Sequence, residues 1–202
     1  MRRFDADHVL VATHNTGKRD EIAALLAPFG ISTSYNADHG LSEPAETEET
    51  FVGNARIKAR TGMSATGLAT LADDSGIEIL ALDGRPGVRT ADWAETGSGR
   101  DFGIAMARAQ SELDAIGAAE PRLARFVCSL VMVWPDGHEE AFEGHVDGRL
   151  IWPTRGQHGH GYDPMFQPVG HSKTFAEMSA TEKNRISHRA AAFAKLIDGC
   201  FG

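Results

Sequence analysis

The chain has 202 residues, a length that favours one domain, with two small lobes as the outer possibility. Its 20 lysines and arginines stand against 28 aspartates and glutamates, a formal charge of −8, so no nucleic-acid partner is expected: neutralising phosphates takes a basic surface. With 42% apolar and 24% charged residues the composition is that of a globular and not a disordered chain, and two cysteines, Cys128 and Cys200, build neither a disulfide framework nor a four-thiolate zinc site. The start, Met1-Arg2-Arg3-Phe4-Asp5, lacks the apolar stretch of a signal peptide, and no run approaches the ~18 apolar residues of a membrane span. A soluble, cytoplasmic protein with no membrane partner is the expectation.

The apolar run Val9-Leu10-Val11-Ala12 predicts a buried strand, followed by the polar turn Thr13-His14-Asn15-Thr16-Gly17-Lys18 and a helical spacing of Ile22, Leu25, Leu26 and Phe29 that Gly30 stops. A short strand near residues 31–35 leads to an acidic loop from Glu43 to Glu49. A helix is expected over residues 49–65, where the spacing of Asn54 and Lys58 puts both on one face while Phe51, Ala55 and Ile57 supply apolar contacts. Residues 68–72 predict an apolar strand that ends at Asp73-Asp74, with Ser75-Gly76 turning the chain before Ile77, Ile79 and Leu80 resume its apolar character. Residues 84–89 read as loop, and a helix over about 101–116 ends near Gly117. Strands over 126–134 and 140–145 are joined by the hairpin signal Pro135-Asp136-Gly137, and the Gly/His-rich residues 155–163 are too punctuated for regular structure. The last helix opens on a capping box, Ser179 with Glu182, and repeats Ile186, Ala190, Phe193 and Ile197 until Gly199. Helices alternating with strands early, and a hairpin later, predict an α/β fold with a mixed sheet, arranged as two lobes with a cleft between them.

Several of these segments carry residues suited to chemistry. Between a buried strand and a helix, Asn15, Thr16, Gly17 and Lys18 offer backbone N–H groups, a helix dipole and an ammonium to an anion. The loop is not a Walker A motif, since Ala12 and Arg19 stand where Gly and Ser or Thr are required, and an ordinary strand-to-helix turn with a solvated lysine remains open. Of Asp73 and Asp74, whose side chains diverge, one carboxylate is expected to face a cleft and to suit magnesium or a nucleophilic water. Glu46, Glu48 or Glu49 could add a second oxygen ligand, or form a solvated face. His158 and His160 lack a second ligand pair, so zinc is not expected. The segment from Gly159 to Pro164 reads either as a structural turn or as a loop bringing backbone and the Tyr162 ring to a flat ligand. At ~100° per residue Lys183 and His188 lie about 140° apart, so either the helix starts afresh near Ser187 or a ligand meets its flank and end separately.

Together these blocks resemble one family, the non-canonical purine nucleoside triphosphate pyrophosphatases, also called inosine or xanthosine triphosphate pyrophosphatases. The matching blocks are Ala12-Thr13-His14-Asn15-Thr16-Gly17-Lys18 with Glu21, Thr50-Phe51 with Asn54-Ala55 and Lys58-Ala59, Ala72-Asp73-Asp74-Ser75-Gly76 with Pro86-Gly87, and Gly161-Tyr162-Asp163-Pro164 through Glu182-Lys183 to Ser187-His188-Arg189. They stand in family order over about residues 9–197. The resemblance implies a single pyrophosphatase domain over residues 1–202, elongated and two-lobed around a central nucleotide cleft, a homodimer, Mg²⁺ as cofactor, and hydrolysis of ITP, dITP and XTP to the monophosphate and pyrophosphate. It implies that Thr13, His14, Asn15, Thr16, Gly17 and Lys18 cradle the phosphates, that Asp74 with Lys18 carries catalysis, and that Asp74 with Glu46 serves the metal. By the same resemblance Asn54, Lys58, Ser75, His160, Gly161, Tyr162, Asp163, Lys183, His188 and Arg189 complete the substrate site, with the base near His188 and Arg189. The chain departs from the family's pattern at Ala45-Glu46, where two glutamates are frequent, at Gly53, where an acid often precedes the asparagine, and at His160, where phenylalanine is usual.

Donors such as Arg189 suit O6 of hypoxanthine or xanthine, and the 6-amino group of adenine would leave them unpaired at a cost of ~1 to 3 kcal/mol each. The nearest enzymatic rival is a Maf-like pyrophosphatase acting on modified pyrimidines, against which the block from Lys183 to Arg189 argues. A rival of another class is a nucleotide sensor without turnover, against which Asp74 and the lysines argue.

Overall fold

A computed structural model describes residues 1–201, apart from the side chain of Thr16. The elements in chain order are β1 (His8–Val11), α1 (Thr16–Leu26), β2 (Ser32–Tyr35), α2 (Phe51–Thr66), β3 (Thr70–Ile79), β4 (Pro86–Gly87), β5 (Glu95–Thr96), β6 (Gly99–Arg100), α3 (Phe102–Ala115), β7 (Leu123–Val133), β8 (Glu139–Leu150), β9 (Phe166–Pro168), α4 (Ala180–Asn184) and α5 (His188–Leu196). The main sheet runs β2-β1-β3-β7-β8-β9, with β4 also on β3. β1 pairs parallel with β2 and β3, whereas β3 with β4 and β8 with β9 are antiparallel, so the fold is α/β with a mixed sheet.

The chain divides into two compact units. The first comprises Met1–Asp74, Cys128–Gly144 and the chain from Ala191 onward. In it β1, β3 and β7 are buried on both faces, and alternate residues therefore serve different cores. Val9, Val11, Leu71, Leu130 and Met132 pack with Ile22 and Leu26 of α1 and Phe193 and Leu196 of α5. Their neighbours Ala12, Ala72, Val131 and Val133 pack with Ala55 and Ala59 of α2. Small residues on this second face let α2 approach the strands closely: a Cβ at Gly62 would lie 2.9 Å from a methyl of Leu10 and 3.0 Å from that of Thr70.

The second unit comprises Ser75–Val127 and His145–Ala190. Its core gathers Ile77 and Ile79 of β3, Ala105, Met106, Ala109 and Leu113 of α3, and the aromatic residues Trp93, Phe126, Tyr162, Phe166 and Phe175. Asp101 caps α3 by accepting from the amides of Gly103 and Ile104. The Arg108 guanidinium stacks 4.0 Å from the Trp93 ring centroid.

Three elements differ from the sequence expectations. Asp73-Asp74-Ser75-Gly76 is not a strand end with a turn: β3 runs straight through it from Thr70 to Ile79. The local turn signal of Ser75-Gly76 loses to pairing, because Ile77 and Glu78 are registered against Gly87 and Pro86 of β4 and the Ile77 amide donates to Thr90 Oγ1 at 2.9 Å. The stretch over residues 84–89, expected as loop, thus contributes a two-residue strand, and β9 was too short to show a pattern. The expected last helix is two, α4 and α5, which decides the open question at Ser187: a helix starts afresh there, with Ser187 Oγ accepting from the Ala190 amide at 3.1 Å. The hairpin at Pro135-Asp136-Gly137 is as expected, Gly137 adopting φ 84°. Among the described residues no helix is long and apolar enough to cross a membrane.

Replacing Gly62 by leucine should force α2 off β1 and β3 and destabilise the protein by ~1 to 3 kcal/mol, the usual cost of overpacking. Urea denaturation checks this, and an unchanged midpoint would show that α2 is not seated as described.

Candidate active site

The first unit holds the acidic and lysine-rich part of the predicted site. β1 delivers the chain into a turn fixed by its own side chains: the Asn15 amide donates to Thr13 Oγ1 at 3.1 Å, and Asn15 Oδ1 caps α1 by accepting from the Lys18 amide at 3.0 Å. First-turn amides of a helix have no intrahelical partners, so this turn, including Gly17, presents an electropositive helix end. His14 points elsewhere. Its Nε2 donates to the Leu41 carbonyl at 2.9 Å, tying this turn to the start of the acidic loop.

Strand geometry sends Asp73 and Asp74 to opposite faces of β3. Asp73 shares the α1 face with Leu71, and its Oδ2 lies 2.8 Å from Lys18 Nζ. Asp74 shares the α2 face with Ala72, and its Oδ1 accepts from Lys58 Nζ at 3.2 Å. The aspartates are 2% and 6% exposed, so each is a buried carboxylate with its own lysine. The role of Asp73 as the seat of Lys18 was missed from sequence, although two acids in succession on a buried strand require two partners on two faces.

Lys58 also donates to Glu46 Oε1 at 2.8 Å, which brings Glu46, Lys58 and Asp74 together. Burial pushes the Asp74 carboxyl above the ordinary aspartate range, and the Glu46 charge adds to this, outweighing the opposing pull of Lys58. Burial acts to discharge Lys58, but Asp74, Asp73 and Glu46 outweigh it and hold the ammonium charged. Asn54 is buried, and its Oδ1 accepts from the Glu48 amide at 3.0 Å: it anchors the acidic loop. Gly53 is required by the same loop, since a Cβ there would stand 2.6 Å from that of Glu48.

These oxygens suit a divalent metal. Among the described residues no three or more His, Cys, Asp or Glu form a metal-holding group. Magnesium needs only one or two carboxylates, with water and phosphate as the remaining ligands. Asp74 Oδ2 is buried without a hydrogen-bond partner among the described residues, and Asp74 and Glu46 already converge on one positive charge.

The second unit holds the remaining predicted residues. Asp163, 2% exposed, accepts from the His160 amide at 2.7 Å and from Lys183 Nζ, so it fixes both the Gly159–Gly161 turn and the lysine. Gly161 has φ 65°, a conformation that suits glycine. The His160 side chain is exposed. Tyr162 is placed differently from a ligand-stacking ring: it is 1% exposed, edge-on to Phe102 in the core, and burial drives its phenol well above the ordinary tyrosine range. The restart of the helix at His188 buries that imidazole parallel to the Phe126 ring, centroids 4.9 Å apart, and Arg189 Nη2 donates to Ser75 Oγ at 3.3 Å. Phe126, the platform for His188, carried no signal beyond that of a strand residue.

Comparison with known proteins adds to this geometry. The Ham1 family model matches residues 9–199. The chain is 61% identical over 201 residues to the dITP/XTP pyrophosphatase of Ruegeria pomeroyi, covering 100% of this chain and 98% of that protein. It is 50% identical over 211 residues to the dITP/XTP pyrophosphatase of Agrobacterium fabrum, covering 99% of each. Among solved structures, a HAM1 protein from Coxiella burnetii superposes with a TM-score of 0.88 at 33% identity, covering 95% of this chain and 96% of that one. A nucleoside-triphosphatase or dITP/XTP pyrophosphatase from Mycobacterium abscessus gives 0.78 at 39% identity, covering 94% and 98%. With the family model, the relatives and the solved structures matching over nearly the whole chain, the protein belongs to the Ham1 family.

Proposed function

We propose that the protein hydrolyses the deaminated purine nucleoside triphosphates dITP, ITP and XTP to the monophosphate and pyrophosphate, in the cytoplasm and as a homodimer acting on the nucleotide pool. The substrate class is that named for its relatives, and the observation that carries the chemistry is Asp74: a buried carboxylate beside Lys58 and Glu46 with one oxygen unfilled. Water attacks the α-phosphorus, the bond to the bridging oxygen breaks, and pyrophosphate leaves with that oxygen. The proton lost by water passes to Asp74 or through it to solvent. Charge on the triphosphate is met by the helix end at residues 15–18 and by Lys18 and Lys58.

Asp74 and Glu46 are the residues that would hold Mg²⁺, which when bound supplies further charge neutralisation on the phosphate oxygens and acidifies the attacking water. The base end is assigned to the second unit. Arg189, oriented by Ser75, provides donors for O6, and the buried His188 ring supports the helix start that carries it. His14 and Asn54 act as positioning residues, because their hydrogen bonds hold the acidic loop. Asp163 acts in the same way on Lys183.

A release assay with Mg²⁺ offering ITP, dITP, XTP, GTP, ATP and dTTP separately should yield pyrophosphate from the first three. Single phosphate, or a pyrimidine preference, would overturn the assignment. Asp74→Asn should abolish turnover with the fold intact by circular dichroism, and near-wild-type turnover would remove Asp74 from the mechanism. Arg189→Ala should lower kcat/KM for ITP by roughly tenfold or more, the loss of one buried donor, with little change for ATP. Equal losses for both nucleotides would move base recognition away from Arg189.

A further inference from the structure

Lys58 sits where a metal would have to come. Its side chain is 5% exposed, and its Nζ is 2.8 Å from Glu46 Oε1 and 3.2 Å from Asp74 Oδ1. A magnesium ion binds carboxylate oxygens at about 2.0 to 2.1 Å, so an ion on Asp74 and Glu46 would stand within a few ångströms of that ammonium in a poorly screened setting. The two like charges repel, and they compete for Asp74 Oδ1 and Glu46 Oε1, the oxygens that Lys58 holds. The helix cannot withdraw to make room, because α2 is seated on the strands through Ala55, Ala59 and Gly62. The freedom lies in the four-carbon stem of Lys58, whose torsions can carry the charge off the carboxylates without moving the backbone.

We propose that Lys58 is an internal counter-cation that occupies Glu46 and Asp74 in the metal-free protein and is displaced by the divalent ion, so that metal alone binds weakly and binds tightly only when an anionic ligand receives the displaced ammonium. This rests on the reading of Asp74 and Glu46 as the metal-holding residues. The buried Asp74 Oδ2, without a hydrogen-bond partner among the described residues, is the point of entry: an ion can begin on that oxygen before Lys58 leaves the other. Metal and triphosphate are then coupled through one side chain, and by linkage each raises the affinity for the other. The free enzyme carries its positive charge ready for the phosphates instead of holding a resident metal.

The test is the binding of Mn²⁺, an oxygen-seeking stand-in for Mg²⁺, measured by electron paramagnetic resonance of the free ion without nucleotide. Lys58→Met should bind Mn²⁺ at least about tenfold more tightly than the unaltered protein, since a close like charge is gone. Lys58→Arg, which keeps the charge, should stay near the unaltered affinity, and Asp74→Asn should bind more weakly. If Asp74→Asn weakens binding but Lys58→Met does not tighten it, the competition is refuted while Asp74 keeps its metal. If Asp74→Asn leaves binding unchanged, the metal does not use Asp74, and both the proposal and the metal reading beneath it fail. Should Lys58→Met not fold, the unaltered protein still decides: the Lys58 Nζ resonance should shift once Mg²⁺ with inorganic pyrophosphate saturates the protein, and a resonance unmoved at saturation refutes displacement.

Discussion

Adjacent aspartates in the interior of a strand covered on both faces are largely withdrawn from water, and an unpaired buried carboxylate is too costly to keep. The rest of the site follows from this constraint. Because neighbouring side chains on a strand point to opposite faces, Asp73 and Asp74 each demand a cation from a different helix. α1 answers with Lys18 and α2 with Lys58. The two helices are thereby keyed to one strand by charge as well as by the alternate apolar residues Leu71 and Ala72. Once α1 is keyed in this way, its capped first turn is fixed beside β1; once α2 is keyed, Asn54 and Thr50 hold the acidic loop and present Glu46 to the same ammonium.

The two aspartates do not do the same work. Asp73 is a seat for Lys18. Asp74 shares its lysine with Glu46, keeps one oxygen without a hydrogen bond among the described residues and has a carboxyl raised by burial. An unsatisfied buried oxygen is expensive in a merely structural ion pair, and its retention beside a raised carboxyl pKa is the pattern of a functional carboxylate. In the second unit the same logic recurs at Asp163, where a buried carboxylate fixes Lys183 and a glycine turn.

Much of the fold was legible in the sequence because its signals are local. Val9 to Val11, the stops at Gly30 and Gly117 and the turn at Gly137 each depend on residues a few positions apart. The passage through Asp73 to Gly76 was misread because pairing with Pro86 and Gly87 decides it, and a two-residue strand has no pattern of its own. The break at Ser187 was visible only as a conflict, since Lys183 and His188 could not share a stripe on one helix, and the structure resolves it with a new helix start. At the site, the residue types were legible but their partners were not. Nothing near Tyr162 in the sequence shows that its ring joins a core with Phe102, and nothing near His14 shows that its imidazole reaches Leu41. Such pairings lie far apart in the chain and are set by how the elements pack.

Catalysis turns on the buried carboxylate of Asp74 and its lysine. The most direct measurement is a titration of the Asp74 side-chain carboxyl by carbon NMR in the metal-free protein, with and without Lys58→Met. Burial should place its midpoint above the ordinary aspartate range, and removal of the Lys58 charge, which favours the ionised form, should raise it further. A midpoint at or below the ordinary range that does not respond to Lys58→Met would contradict the account, because Asp74 would then be neither buried nor paired as described.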